Sequence, residues 1–200
     1  MSEETLRRLK SRVRSIAAQY SDRELRARRL FIEERNAAFA ANQANDREFK
    51  LKTDLATFYR VPYTAISFCG SAQLGFSVHK DRLFHSQTSD LDAACISGDL
   101  FQRAWVDVIT STSAFTDDTV FAPWKVSQIG LFKEQILRRG MIRVEMMPGS
   151  AVSLEWVRFQ ESLSQDYNDL FRKVTVTIYM NEYAFCWKQD SSLSEIMGIS

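Results

Sequence analysis

The 200-residue chain is sparing in the residues that most constrain a fold: three cysteines, three prolines, seven glycines and two histidines. Cys69, Cys95 and Cys186 lie far apart, are odd in number and show no CxxC spacing. That pattern speaks against a disulfide framework and makes a reducing, cytoplasmic setting the expectation. No apolar run approaches the roughly 18 residues needed to span a bilayer. The opening MSEETLRRLKSRVR is charged and lacks the apolar core of a signal peptide. Repeats and low-complexity tracts are absent. A strong charge of either sign is missing too, since 26 basic and 25 acidic residues leave +1, so no global field marks a nucleic-acid binder. What the chain does have is apolar material, 45% with 12% aromatic. That is enough for one sizeable core and excludes a disordered chain.

Charge is unevenly spread, with 13 basic and 8 acidic residues up to Lys52. This quarter reads as helical. Leu6, Leu9, Val13, Ile16, Ala17 and Tyr20 form one apolar stripe at helical spacing. Ser21 and Glu24 have capping-box spacing and predict a second helix running to about Ala41. Asn45 or Asp46 can cap a third, carrying Phe49, Leu55 and Phe58 and stopping before Val61-Pro62. The arginines of this region suit the solvated face of a helical pair, or an arm that binds phosphate or a partner protein. We read residues 1–45 as a helical extension and residues 46–200 as the main domain.

Beyond Pro62 the pattern alternates. Short strands are expected at Ala65–Cys69, Leu91–Ile96, Met141–Met147 and Val174–Tyr179, the last rich in β-branched residues. Helices are expected from Asp99, over Ser127–Arg139 with Gly140 as the stop, and over Leu154–Leu170, with a short helical tail. The class is α+β: a small mixed sheet flanked by helices. The phenylalanines and Trp105, Trp124, Trp156 and Trp187 read mostly as core.

One constellation carries chemistry. Gly70-Ser71 ends the first strand, and Ser89-Asp90-Leu91-Asp92 opens the second. On a strand, Asp90 and Asp92 project to one side while Leu91 points to the core. Two adjacent carboxylates repel unless a cation sits between them, and oxygen ligands suit Mg²⁺ or Mn²⁺ bridging to nucleotide phosphates. Gly70 lets a bulky anion come close, and Ser71 adds a hydroxyl. The loop between them offers Lys80 and Arg82 for phosphate, while His79 and His85 could share a metal or simply be solvated.

Gly70-Ser71-Ala72-Gln73-Leu74-Gly75 followed by Ser89-Asp90-Leu91-Asp92 resembles the signature of the polymerase-beta-like nucleotidyltransferase superfamily. The likeness is to its minimal bacterial members, including those of toxin–antitoxin and phage-defence loci. The resemblance implies a sheet of the nucleotidyltransferase type, with Asp90 and Asp92 holding the metals. Gly70, Ser71 and Ser89 would grip a nucleoside triphosphate, whose nucleotidyl group would go to a hydroxyl of a protein, RNA or small molecule. Active members carry a third carboxylate on a later strand. Val174–Tyr179 has Thr175 and Thr177 there, and Glu145 is the acid that could stand in. Without it, the chain would be a non-catalytic sensor, regulatory or antitoxin module that binds a nucleotide or a partner. An RNA-binding module using the basic helices is a third reading.

Overall fold

The computed structural model describes residues 2–197, setting aside the side chains at 2, 123–125 and 195, so Trp124 lies outside the described side chains. Four strands form the main sheet: β1 (Ile66–Cys69), β4 (Leu91–Ile96), β5 (Met141–Arg143) and β6 (Val174–Tyr179). Their order is β1-β4-β6-β5, with β4 antiparallel to β1 and parallel to β6, and β5 antiparallel to β6. Strands β2 (Phe76–Ser77) and β3 (Arg82–Leu83) make a separate small hairpin within the expected loop. The molecule is α+β, with a small mixed sheet flanked by helices and helices at its N-terminus.

Side-chain alternation separates the two faces of the sheet. Ile66, Phe68, Leu91, Ala93, Cys95, Ile142, Val174, Val176 and Ile178 belong to the larger core. Helices α4 (Asn45–Tyr59), α6 (Gly98–Ser111), α7 (Ile129–Arg139) and α8 (Ala151–Asp166) supply much of the rest of that core. Its centre is aromatic: the Phe39 ring lies 5.7 Å from Phe68 and 5.2 Å from Phe171. The opposite face carries Cys69, Ala94, Met141 and Tyr179, covered by α1 (Ser2–Ala18), α2 (Arg23–Arg28) and α9 (Glu182–Met197). That cover is partial. Asp92, Thr175, Thr177 and Arg143 share its parity, and they form a polar floor beside it.

Four expectations need correction. The helix expected over Ser21–Ala41 is broken: α2 is capped by Asp22, a π-helical turn spans Arg29–Glu33, and Asn36 caps a new helix, α3 (Ala37–Ala41). The cause is tertiary. Buried Gln73 donates to the carbonyls of Leu30 at 3.1 Å and Glu34 at 3.0 Å, and accepts from Asn36 at 3.2 Å. It thereby satisfies the groups that the break frees. The strand expected over Met141–Met147 stops at Arg143, and Val144–Met146 forms a 3₁₀ turn that buries Val144 and Met146. Phe49, carried on the third helix and read with the other phenylalanines as mostly core, is 62% exposed because the buried face of α4 is Leu51, Leu55, Ala56 and Tyr59. The helical tail is not short: α9 has 16 residues and covers part of the sheet. Trp156 is core, whereas Trp187 is 44% exposed beneath the guanidinium of Arg23.

The basic N-terminal residues are largely engaged within the molecule. Arg26 makes a buried two-pronged ion pair with Asp190 at 2.9 and 3.1 Å and donates to the Tyr20 and Ser21 carbonyls. Arg12 and Arg29 meet Glu34, Arg28 meets Glu182 and Glu24, and Lys10 meets Asp81 on the hairpin. Among the described residues no helix is long and apolar enough to cross a membrane.

Candidate nucleotide site

Strand β1 delivers Cys69 opposite Asp92 of β4, and β6 delivers Thr175 to the other side of the same residue. Asp92 therefore sits at a crossing of three strands. Gly70 follows directly, with φ of +68°, and starts the five-residue helix α5 (Gly70–Leu74). A side chain at Gly70 would run into Asp92, since a Cβ there would lie 2.3 Å from Oδ2. Glycine is thus required both by the turn and by the carboxylate.

These residues open onto a cleft of about 290 Å³ whose walls include Gly70, Ser71, Ser89, Asp90 and Asp92. The structure brings together five of the six residues singled out from the sequence. Leu91 between the acids is fully buried, as the alternation requires. Ser89 is buried and ties two segments together, for its Oγ accepts from the His85 amide at 3.2 Å and its carbonyl accepts from the Arg172 amide at 2.9 Å. Glu145 is the exception. It lies on the 3₁₀ turn after β5, outside the cleft lining, where Lys173 Nζ donates to it at 2.8 Å and Arg143 stands at 4.0 Å.

The two aspartates have different surroundings. Asp90 accepts both prongs of Arg172, Nε to Oδ1 at 2.9 Å and Nη2 to Oδ2 at 2.7 Å. Arg172 is placed there because the parallel pairing of β4 and β6 continues backwards through Leu91 N–H to the Lys173 carbonyl and Arg172 N–H to the Ser89 carbonyl. Asp92 lies deeper. Burial pushes its carboxyl above the ordinary range, helped by Asp90 and Glu145, while the Thr175 hydroxyl, donating at 2.8 Å, and Arg143 act against this.

Five cations line the cleft among the described residues: Lys80 and Arg82 from the hairpin, Arg143 from β5, Arg172 before β6, and Lys188 from α9. Lys80 and Arg82 were visible in the loop sequence. Arg143, Arg172 and Lys188 were not, because nothing in their local sequence separates them from surface cations. Thiol chemistry is disfavoured, since burial raises the Cys69 thiol well above its ordinary value and pushes Cys95 and Cys186 up to about 12. His85 is engaged locally, its Nδ1 2.7 Å from the Ser86 carbonyl. Among the described residues no group of three His, Cys, Asp or Glu side chains gathers as a metal site.

The donor set fits one Mg²⁺ or Mn²⁺ shared with phosphate oxygens, since such ions use one or two carboxylates and leave the remaining positions to substrate and water. It does not fit a protein-held pair of ions, because the β6 residue beside Asp92 is Thr175, a neutral hydroxyl. No family model, curated protein or solved structure matches this chain.

Proposed function

We propose that the chain is a nucleotidyltransferase-like module that binds a nucleoside triphosphate in this cleft, with one divalent cation on Asp90 and Asp92. The observation that carries the reading is the cleft itself, where a Gly-Ser turn and two carboxylates at the start of the central strand β4 line the same walls as five cationic side chains. A polyphosphate needs that complement of cations. Asp90 and Asp92 would hold the ion, which when bound neutralises phosphate charge. Arg172 would leave Asp90 and turn its guanidinium to phosphate, while Gly70 and Ser71 give the chain close approach to the backbone.

The geometry favours binding over transfer. Thr175 and Thr177 stand where a base for the attacking hydroxyl is wanted, and Glu145 is tied to Lys173. A second reading, nucleotidyl transfer to a hydroxyl, draws on one observation: Glu145 is near enough to Asp92 to help raise its carboxyl. The deciding experiment incubates the protein and an Asp90→Ala, Asp92→Ala variant with each α-³²P nucleoside triphosphate and Mg²⁺ or Mn²⁺, with and without cellular RNA and lysate. Metal-dependent binding without covalent label, lost in the variant, is the expected result. Label transfer that Glu145→Ala abolishes would establish the enzyme instead, and no binding of any nucleotide would overturn both readings.

A further inference from the structure

The C-terminal helix α9 brings Lys188, Gln189 and Ser192 to the wall of the cleft. Gln189 is buried and donates to the Tyr179 hydroxyl at 3.2 Å, which fixes this part of the helix against β6. Lys188 is half-buried, and its ammonium donates to Ser192 Oγ at 3.1 Å. Among the described residues no ion pair includes it, in contrast to the many paired cations of the N-terminal helices. Burial is the main influence that lowers the Lys188 pKa, the charges of Arg139 and Arg143 add to it, and that of Asp92 opposes it. Of the two arginines, Arg143 also lines the cleft.

Lys188 is a half-buried cation with no ion pair among the described residues, and Arg143 on the same cleft reaches Glu145 only at the 4.0 Å limit, so an anion held between them would complete the group. Asp92 lines the same cleft, but among the described residues it forms no ion pair with either cation, and its Oδ1 accepts from the Thr175 hydroxyl at 2.8 Å. We infer that Lys188 and Arg143 form an anion subsite that takes the terminal phosphates of the ligand, so that the cleft selects by the number of phosphates. The inference rests on the proposed nucleotide reading and assigns the polyphosphate end to the α9 wall. A monophosphate would use the Gly70-Ser71 end alone and gain nothing from Lys188.

The test measures binding of inorganic tripolyphosphate, and of ATP, GTP and their monophosphates, to the full chain and to Lys188→Gln and Lys188→Arg, with unfolding midpoints as the control for folding. Lys188→Gln should weaken tripolyphosphate and triphosphate binding by about tenfold or more, the scale of one charge-assisted bond. It should leave the monophosphates unchanged, and Lys188→Arg should restore most of the loss. Triphosphates that bind Lys188→Gln as tightly as the unsubstituted chain would overturn the subsite while leaving the nucleotide reading intact. Lys188-dependent binding of tripolyphosphate without any preference for nucleotides would keep the subsite and overturn the nucleotide reading. If the unsubstituted chain binds neither tripolyphosphate nor any triphosphate, both are overturned.

Discussion

Asp92 Oδ2 lies 2.3 Å from the position a Cβ of residue 70 would occupy, so the carboxylate stands in space that only glycine leaves open. The two residues belong to different strand ends, and the antiparallel pairing of Cys69 with Asp92 brings them together. Gly70→Ala should therefore cost about 1–2 kcal/mol for the positive φ alone, with a further penalty for the displaced carboxylate. In an Asp92→Ala background the second part disappears. A double-mutant cycle by urea unfolding should show coupling of about 0.5–3 kcal/mol. Additive costs would mean that the backbone relaxes freely there.

Asp92 also makes stability depend on pH. Burial raises its folded-state pKa above the unfolded value. The folded state therefore holds this proton more tightly, and its contribution is fully present below the unfolded pKa and lost as pH rises through the folded one. Asp92→Asn keeps an acceptor for the Thr175 hydroxyl without a charge. Melting scans from pH 4 to 8 should show the variant gaining relative to the parent as pH rises, at about 2–4 °C for each kcal/mol regained. A constant difference across that range would contradict the burial argument.

The Arg26–Asp190 pair ties α2 to α9 in a buried setting and is surrounded by backbone acceptors. Asp190→Ala leaves a buried guanidinium without its carboxylate, for which about 3–5 kcal/mol is expected. Denaturant unfolding with a shared slope would read that loss. Joint replacement by Arg26→Met and Asp190→Leu should recover most of it, because the charge left behind, more than the lost attraction, sets the cost.

Arg172 closes on Asp90 from an exposed position. Its replacement by alanine should leave the unfolding midpoint unchanged, because exposed pairs contribute little. Mn²⁺ binding, followed by electron paramagnetic resonance in the absence of nucleotide, should become tighter once the competing guanidinium is gone. Weaker Mn²⁺ binding would mean that Arg172 positions Asp90 for the ion.

Much of this architecture was legible locally. β1, β4 and β6 are short apolar runs with clear punctuation, and Asp90 and Asp92 flank a Leu91 that is fully buried, as alternation requires. Gly140 stops α7 in the left-handed conformation, as expected of a C-terminal glycine. The β5 region misled because Val144 and Met146 keep the period of a strand while lying in a 3₁₀ turn, and burial alone cannot tell the two apart. The helix break near Asn36 was hidden because Gln73, the residue that satisfies it, is 37 positions away.

The sequence by itself determined the class of fold, the strands that carry the acids and the glycine turn beside them, because these depend on side-chain period and backbone freedom over a few residues. The tertiary structure alone decided which charges meet. Arg172 reaches Asp90 through the extended pairing of β4 and β6, Glu145 is turned out to Lys173, and α9 swings Lys188 into the cleft. Ion pairing acts through distance in space, and residues 28 to 164 positions apart become neighbours only when the sheet and its helices are packed.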